Sequence, residues 1–172
     1  QELGPVSLEL GYIYYNYPGD TVDPKGNYQE FYVKGSWTTL VLGLNYSDDY
    51  YAETGEFWYV AGDYSHKFMD DLALGLHVGY NITEETEYDA QGNLTDGGFL
   101  PCSGYPQNGS VTAGGGLSCD TDTYTDYSVS LTYTVKGVDL SVAYVGTDLD
   151  EEDYGGTDLA EPVAVFTIKK VL

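Results

Sequence analysis

The chain has 172 residues, one domain's length by the usual prior, and with 42% of them hydrophobic and 20% charged it is too apolar for a disordered polymer. Its 28 acidic residues stand against six basic ones, all lysine, for a formal net charge of −22, so the clustered cations that neutralise phosphate are missing and nucleic acid is excluded as a partner. Nineteen Tyr and 22 Gly beside one Met favour strands and turns, and no run of about 20 apolar residues offers a membrane helix, which leaves a β-barrel open.

In chain order, eight segments alternate at period two, near 5–17, 27–36, 38–48, 56–66, 71–82, 124–136, 138–148 and 160–172. In the first, Val6, Leu8, Leu10, Tyr12 and Tyr14 share one face, and Ser7, Glu9, Gly11 and Tyr15 the other. The third sets Leu40, Leu42 and Leu44 against Thr39, Gly43 and Asn45, and the fifth sets Leu72, Leu74, Leu76 and Val78 against Ala73, Gly75, His77 and Gly79. A soluble sandwich would turn Lys and Glu to water on its second face. Here that face is mostly Gly, Ser, Thr, Ala, Asn and Tyr, which suits the crowded, hydrated inside of a barrel whose apolar outside meets lipid.

The links between segments alternate in length. Gly35–Trp37, Lys67–Asp70 and Lys136–Gly137 read as tight turns, whereas Pro18–Gly26, Asp49–Gly55, Thr83–Thr123 and Leu149–Leu159 are long. Short turns on one rim and long loops on the other describe an up-and-down outer-membrane barrel with periplasmic turns. Charge divides the same way, with Lys34, Lys67, Lys136, Lys169 and Lys170 towards the short-turn rim and the acids crowding the loops. Aromatic residues near segment ends, among them Tyr15, Tyr17, Trp37, Tyr46, Tyr50, Tyr51, Phe57, Trp58 and Phe68, are expected to form two girdles at headgroup level.

Four stretches, LGYIYYNYPG (10–19), LALGLHVGYN (72–81), YTDYSVSLTYTVKGVDLSVAYVGTDL (124–149) and AVFTIKK (164–170), resemble the proteobacterial outer-membrane TorF family of porin-like proteins, the Gcw_chp group. The resemblance spans nearly the whole chain and implies a transmembrane β-barrel without an established chemistry. Members of that family begin with further strands ahead of the part matching Gln1–Gly19, which implies that the eight strands seen here belong to a barrel of about twelve. Gln1 opens the sequence without an initiator Met or signal segment, and Leu172 stands where such barrels usually end in Phe.

Cys102 and Cys119 lie in the Gly-rich stretch 83–123, with no histidine beside them and no C-x-x-C spacing, so a disulfide closing an extracellular loop is expected. Chain entropy gives such a closure about 3 kcal/mol. Asp148, Asp150, Glu151, Glu152 and Asp153 read first as a solvated acidic loop. Their oxygen density also suits Ca²⁺, or bridging to lipopolysaccharide phosphates through divalent ions, although the spacing is not that of an EF-hand. On the polar face stand Glu9, Glu30, Lys34, Asp63, His77, Asp126 and Asp139, a mixture expected to form a lumen hydrogen-bond network with His77 near Asp63. No serine stands in a nucleophile context, so no enzyme and no catalytic residue are expected.

The expectation is therefore one all-β domain over 1–172, an antiparallel up-and-down transmembrane barrel in the outer membrane of a Gram-negative bacterium. Its expected function is passive diffusion of small cationic or neutral solutes, with a structural or adhesive surface barrel as the alternative. Outer-membrane lipid and lipopolysaccharide are the expected partners, a homo-oligomer is compatible, and no cofactor is required beyond the Ca²⁺ considered at the acidic loop.

Overall fold

The computed structural model describes residues 2–3, 5–19, 25–51, 53–84, 87–88, 94–96, 123–149 and 158–170. They form β1 (Glu2–Leu3), β2 (Val6–Tyr15), β3 (Tyr28–Trp37), β4 (Leu40–Ser47), β5 (Phe57–Met69), β6 (Leu72–Thr83), β7 (Glu87–Tyr88), β8 (Leu94–Asp96), β9 (Thr123–Val135), β10 (Val138–Thr147) and β11 (Val163–Lys170). Nine of them make one antiparallel sheet in the order β1-β2-β3-β4-β5-β6-β9-β10-β11, and β7 pairs with β8 apart from it. Apart from one 3₁₀ turn, Asp158–Ala160, the described residues contain no helix, and no helix is long and apolar enough to cross a membrane.

All eight alternating segments are strands, and the sheet is up-and-down throughout. Two turns lie further along than the sequence suggests. Trp37 pairs with Leu40, so the turn is Thr38–Thr39, with Thr38 at a positive φ of 54°, rather than Gly35–Trp37. β5 runs on to Met69 through a bulge at Phe68, which moves its turn from Lys67–Asp70 to Asp70–Asp71. In both cases the strand continues because an aromatic or aliphatic side chain prolongs the apolar face past the apparent turn residues. Lys136 and Gly137, with φ of 50° and 75°, form the expected two-residue hairpin turn, whose positive φ values match the strand twist. β1 is an addition that period-two reading could not see, because two paired residues carry no alternation.

Register decides which side chains share a face. Leu8, Leu10, Leu40, Leu42, Leu44, Leu72, Leu74 and Leu76 all fall on one face, and none is buried. Leu10 is 73% exposed and Phe166, on β11, 80%. The covered side chains of the strands sit on the other face: Glu30, Ser47, Phe57, Asn81 and Thr83. Polar groups are inside and leucines outside, the reverse of a water-soluble core. Side chains crowd together on a concave surface and splay apart on a convex one, so the polar face is the inside of the curved sheet.

The sheet is also staggered. The row of facing residues that begins with Val6, at the short-turn end of β2, passes through Trp37, Leu40, Tyr64, Leu76, Val129 and Tyr144 to Ala164, near the long-loop end of β11. Over seven steps the row climbs from one rim towards the other. Such a shear, with tilted strands, is what closing a sheet into a barrel requires. β11 carries no partner on its outer edge among the described residues, and β1 covers the edge of β2 at Val6 and Ser7.

Candidate functional site on the polar face

All seven polar residues singled out in the sequence, Glu9, Glu30, Lys34, Asp63, His77, Asp126 and Asp139, fall on the inner face. They form separate groups. The largest is built by β5, β6 and β9, whose register sets Asp63 opposite His77 and Tyr59 opposite Asn81, while Asp126 faces Gly79. His77 Nδ1 lies 2.8 Å from Asp63 Oδ1, and Nε2 lies 2.9 Å from Asp126 Oδ1 and 3.0 Å from the Tyr59 hydroxyl. Asn81 donates to the second Asp126 oxygen at 2.9 Å.

An imidazolium donates from both nitrogens, so the protonated ring satisfies both carboxylates at once. Gly79 makes the approach possible, because a Cβ there would run into the Tyr59 hydroxyl and the Asp126 carboxylate. Ser128 faces His77 in the register, yet both ring nitrogens are committed to carboxylates. A general base turns a nitrogen to its nucleophile, whereas here each ring nitrogen is held against a carboxylate and the ring ties the three strands together. Beside it a cavity of about 250 Å³ is lined by the polar Thr39, Asp63, Ser65, His77, Ser128 and Ser130 together with Val41, Tyr64, Gly75 and Leu76.

A second group lies nearer the long-loop rim. Asn45 donates to the Glu30 carboxylate at 2.9 Å, and Glu30 and Ser47 are 6% and 0% exposed. Over this part of the face lies a cluster of rings: Tyr15 stacks on Tyr28 at 4.4 Å, Tyr50 meets Tyr28 edge-on at 4.6 Å and stacks on Phe57 at 4.1 Å. Tyr17 and Tyr51 extend the cluster outward. The expected girdles are corrected by this placement. Tyr15, Tyr17, Tyr50, Tyr51 and Phe57 form an inner lid, whereas Trp37, Tyr46, Trp58, Tyr80 and Tyr127 stay on the apolar face. The lid forms because residues one step beyond a strand's last outward position return to the inner face, where stacked rings shed water. Tyr50 belongs to the loop between β4 and β5, and its burial holds the phenol above the ordinary range, with Glu30 adding to the effect.

Towards the opposite rim, Tyr32 donates to Glu9 at 2.7 Å, the Lys34 ammonium lies 5.2 Å from the Tyr32 ring centre, and Thr134 donates to Asp139 at 2.7 Å. Asp148 accepts from the Thr125 amide at 2.6 Å, which ties the end of β10 to β9. Cys102, Cys119, Asp150, Glu151, Glu152 and Asp153 lie outside the described residues, as does most of the 83–123 loop. Among the described residues no group of three or more His, Cys, Asp or Glu side chains is arranged to hold a metal ion. Tyr59, Ser47 and the inward turn of Tyr50 were not singled out from the sequence. Tyr59 was within reach, since it lies four residues before Asp63 and so on the same face.

No family model, curated protein or solved structure matches the chain.

Proposed function

We propose that this chain forms the wall of a porin-like β-barrel in the outer membrane of a Gram-negative bacterium, passing small cationic or neutral solutes along its hydrated inner face. The observation that carries the reading is the inverted arrangement of the sheet, with leucines exposed on one face and Glu30, Asn81 and the His77 group gathered on the other. A surface of exposed leucine, valine and aromatic side chains across eight strands is far larger than a soluble monomer tolerates, and lipid removes its cost. Six of the eight wall strands have 10 to 13 residues, the length that spans a hydrocarbon core when tilted, and β4 and β11 have eight. The likeness of four stretches to the TorF family supports the same reading, and with it a total of about twelve strands.

One observation favours a second reading, a surface barrel that anchors its acidic loops for contact or assembly. The ring cluster of Tyr15, Tyr28, Tyr50 and Phe57 covers the inner face at the long-loop end. The test is to recover the protein from the outer-membrane fraction and record it in planar bilayers. Steady conductance supports the channel. A membrane-inserted protein without conductance supports the anchored surface barrel, and recovery as a soluble monomer overturns both.

A further inference from the structure

We propose that Glu30 and Ser47 form a binding site for a small monovalent cation beneath the aromatic lid. As a step in a permeation path the site rests on the channel reading, but its existence does not. The last pair between β3 and β4 is Phe31 with Tyr46, so one step further the register sets Glu30 opposite Ser47 on the inner face. Cβ atoms of directly opposed residues lie about 5 Å apart. Glu30 is 6% exposed and Ser47 fully covered, and the Ser47 hydroxyl has no hydrogen-bond partner among the described residues.

The charge of Glu30 has no counter-ion there. Both ion pairs among the described residues belong to His77, and the hydrogen bond that Glu30 makes is the one from Asn45. A buried carboxylate with one neutral donor is left with an unmet demand for positive charge. A second, independent demand comes from the Ser47 oxygen, a covered acceptor with nothing to accept from. Phe57 is the register partner of Ser47, Tyr28 stands two residues before Glu30 on the same face, and Tyr50 packs against both rings; aromatic rings attract a desolvated cation. One carboxylate neutralises one charge, and hydroxyl and ring surfaces replace water around an alkali or ammonium ion better than around a strongly hydrated divalent one.

The experiment follows the heat-induced loss of the folded form of the full chain in detergent, in chloride salts of potassium, methylammonium or the bulky N-methylglucamine cation at equal ionic strength. The expected result is a higher unfolding temperature in potassium or methylammonium than in N-methylglucamine. Glu30→Gln abolishes that difference and Ser47→Ala raises the half-saturating salt concentration several-fold. Equal temperatures in all three salts overturn the proposal, as does a difference that survives in Glu30→Gln. Should Glu30→Gln fail to fold, Ser47→Ala decides, and an unchanged half-saturation overturns the site. A protein that shows the Glu30-dependent shift without conducting keeps the site and loses the channel. Conductance without the shift does the reverse.

Discussion

Asp63 and His77 face each other across the β5–β6 pair, and the 2.8 Å contact between them fixes one edge of a ring whose other edge is held at 2.9 Å by Asp126 on β9. One side chain thereby ties three neighbouring strands, two of which, β6 and β9, are separated in sequence by the long 84–122 segment. Replacing His77 with Ala leaves two carboxylates facing a gap without their shared donor. Asp63 is half exposed and solvent screens it, so the expected loss is about 1 kcal/mol, below the usual range for hydrogen bonds to charged groups. Denaturant unfolding in lipid vesicles measures it. Adding Asp126→Asn to His77→Ala should recover part of the loss, since it removes the stranded charge, and a double variant less stable than either single one would show that the contact carries no such energy.

Gly79 and Gly35 make a matched pair for testing the packing of the inner face. A Cβ at Gly79 meets the Tyr59 hydroxyl and the Asp126 carboxylate, whereas at Gly35 nothing lies within 4 Å. Gly79→Ala should therefore cost about 1–3 kcal/mol, the usual range for overpacking, and Gly35→Ala should be neutral or slightly stabilising. Comparable effects of the two would mean that Tyr59 and Asp126 do not converge over Gly79.

Leu10 and Thr132 separate a membrane wall from a soluble sheet. Leu10 stands on the exposed apolar face and Thr132, bonded to Ser141 at 2.7 Å, on the inner one. In a bilayer Leu10→Lys should cost about 2–4 kcal/mol if it lies near the midplane, while Thr132→Lys, on the polar face, should cost much less. Vesicle unfolding midpoints give the comparison. A Leu10→Lys protein that is more soluble and no less stable would point to water on that face.

Tyr50 gives a pH dependence with a definite sign. Its folded-state pKa is raised above the usual 10.0, chiefly by burial, so the neutral phenol is favoured in the folded chain. The corresponding stability is fully present below the unfolded value and is lost as pH rises through the folded one. Alkaline unfolding followed by tyrosinate absorbance should thus set in above pH 10, and Tyr50→Phe, which keeps the stack on Phe57, should move it higher. An unchanged or lower onset would place Tyr50 outside the buried lid.

Most of the wall was legible in the sequence because period-two alternation is a property of single strands and survives without knowledge of neighbours. Leu40, Leu42 and Leu44 name their face unaided. The ends were less legible: Trp37 and Phe68 lie among residues that read as turns, and only the pairing of Trp37 with Leu40 and of Met69 with Leu72 shows the strands continuing. Convergence across strands was hidden for a different reason. His77 and Asp63 are adjacent in one hairpin and could be matched from the sequence, but Asp126 reaches them through the β6–β9 register, which the long intervening segment leaves unspecified. The inward fold of Tyr50 depends on loop geometry, for which no periodic signal exists.

On the channel reading, the acidic run 150–153 and the buried Glu30 are two separate sources of ion selectivity. If the surplus of acids at Asp150, Glu151, Glu152 and Asp153 sets it, the effect is long-ranged and screened, and should fade as salt shortens the Debye length from about 10 Å at 0.1 M. If the buried Glu30 sets it, the charge acts at close quarters in a low-dielectric setting and should persist at high salt. Reversal potentials across a salt gradient distinguish the two. Neutralising the four loop acids together should reduce cation selectivity at low salt and leave the folded form intact, whereas Glu30→Gln should reduce it at low and high salt alike. Anion selectivity in the unaltered protein would contradict both, because a chain with a net charge of −22 and no arginine offers anions no favourable mouth.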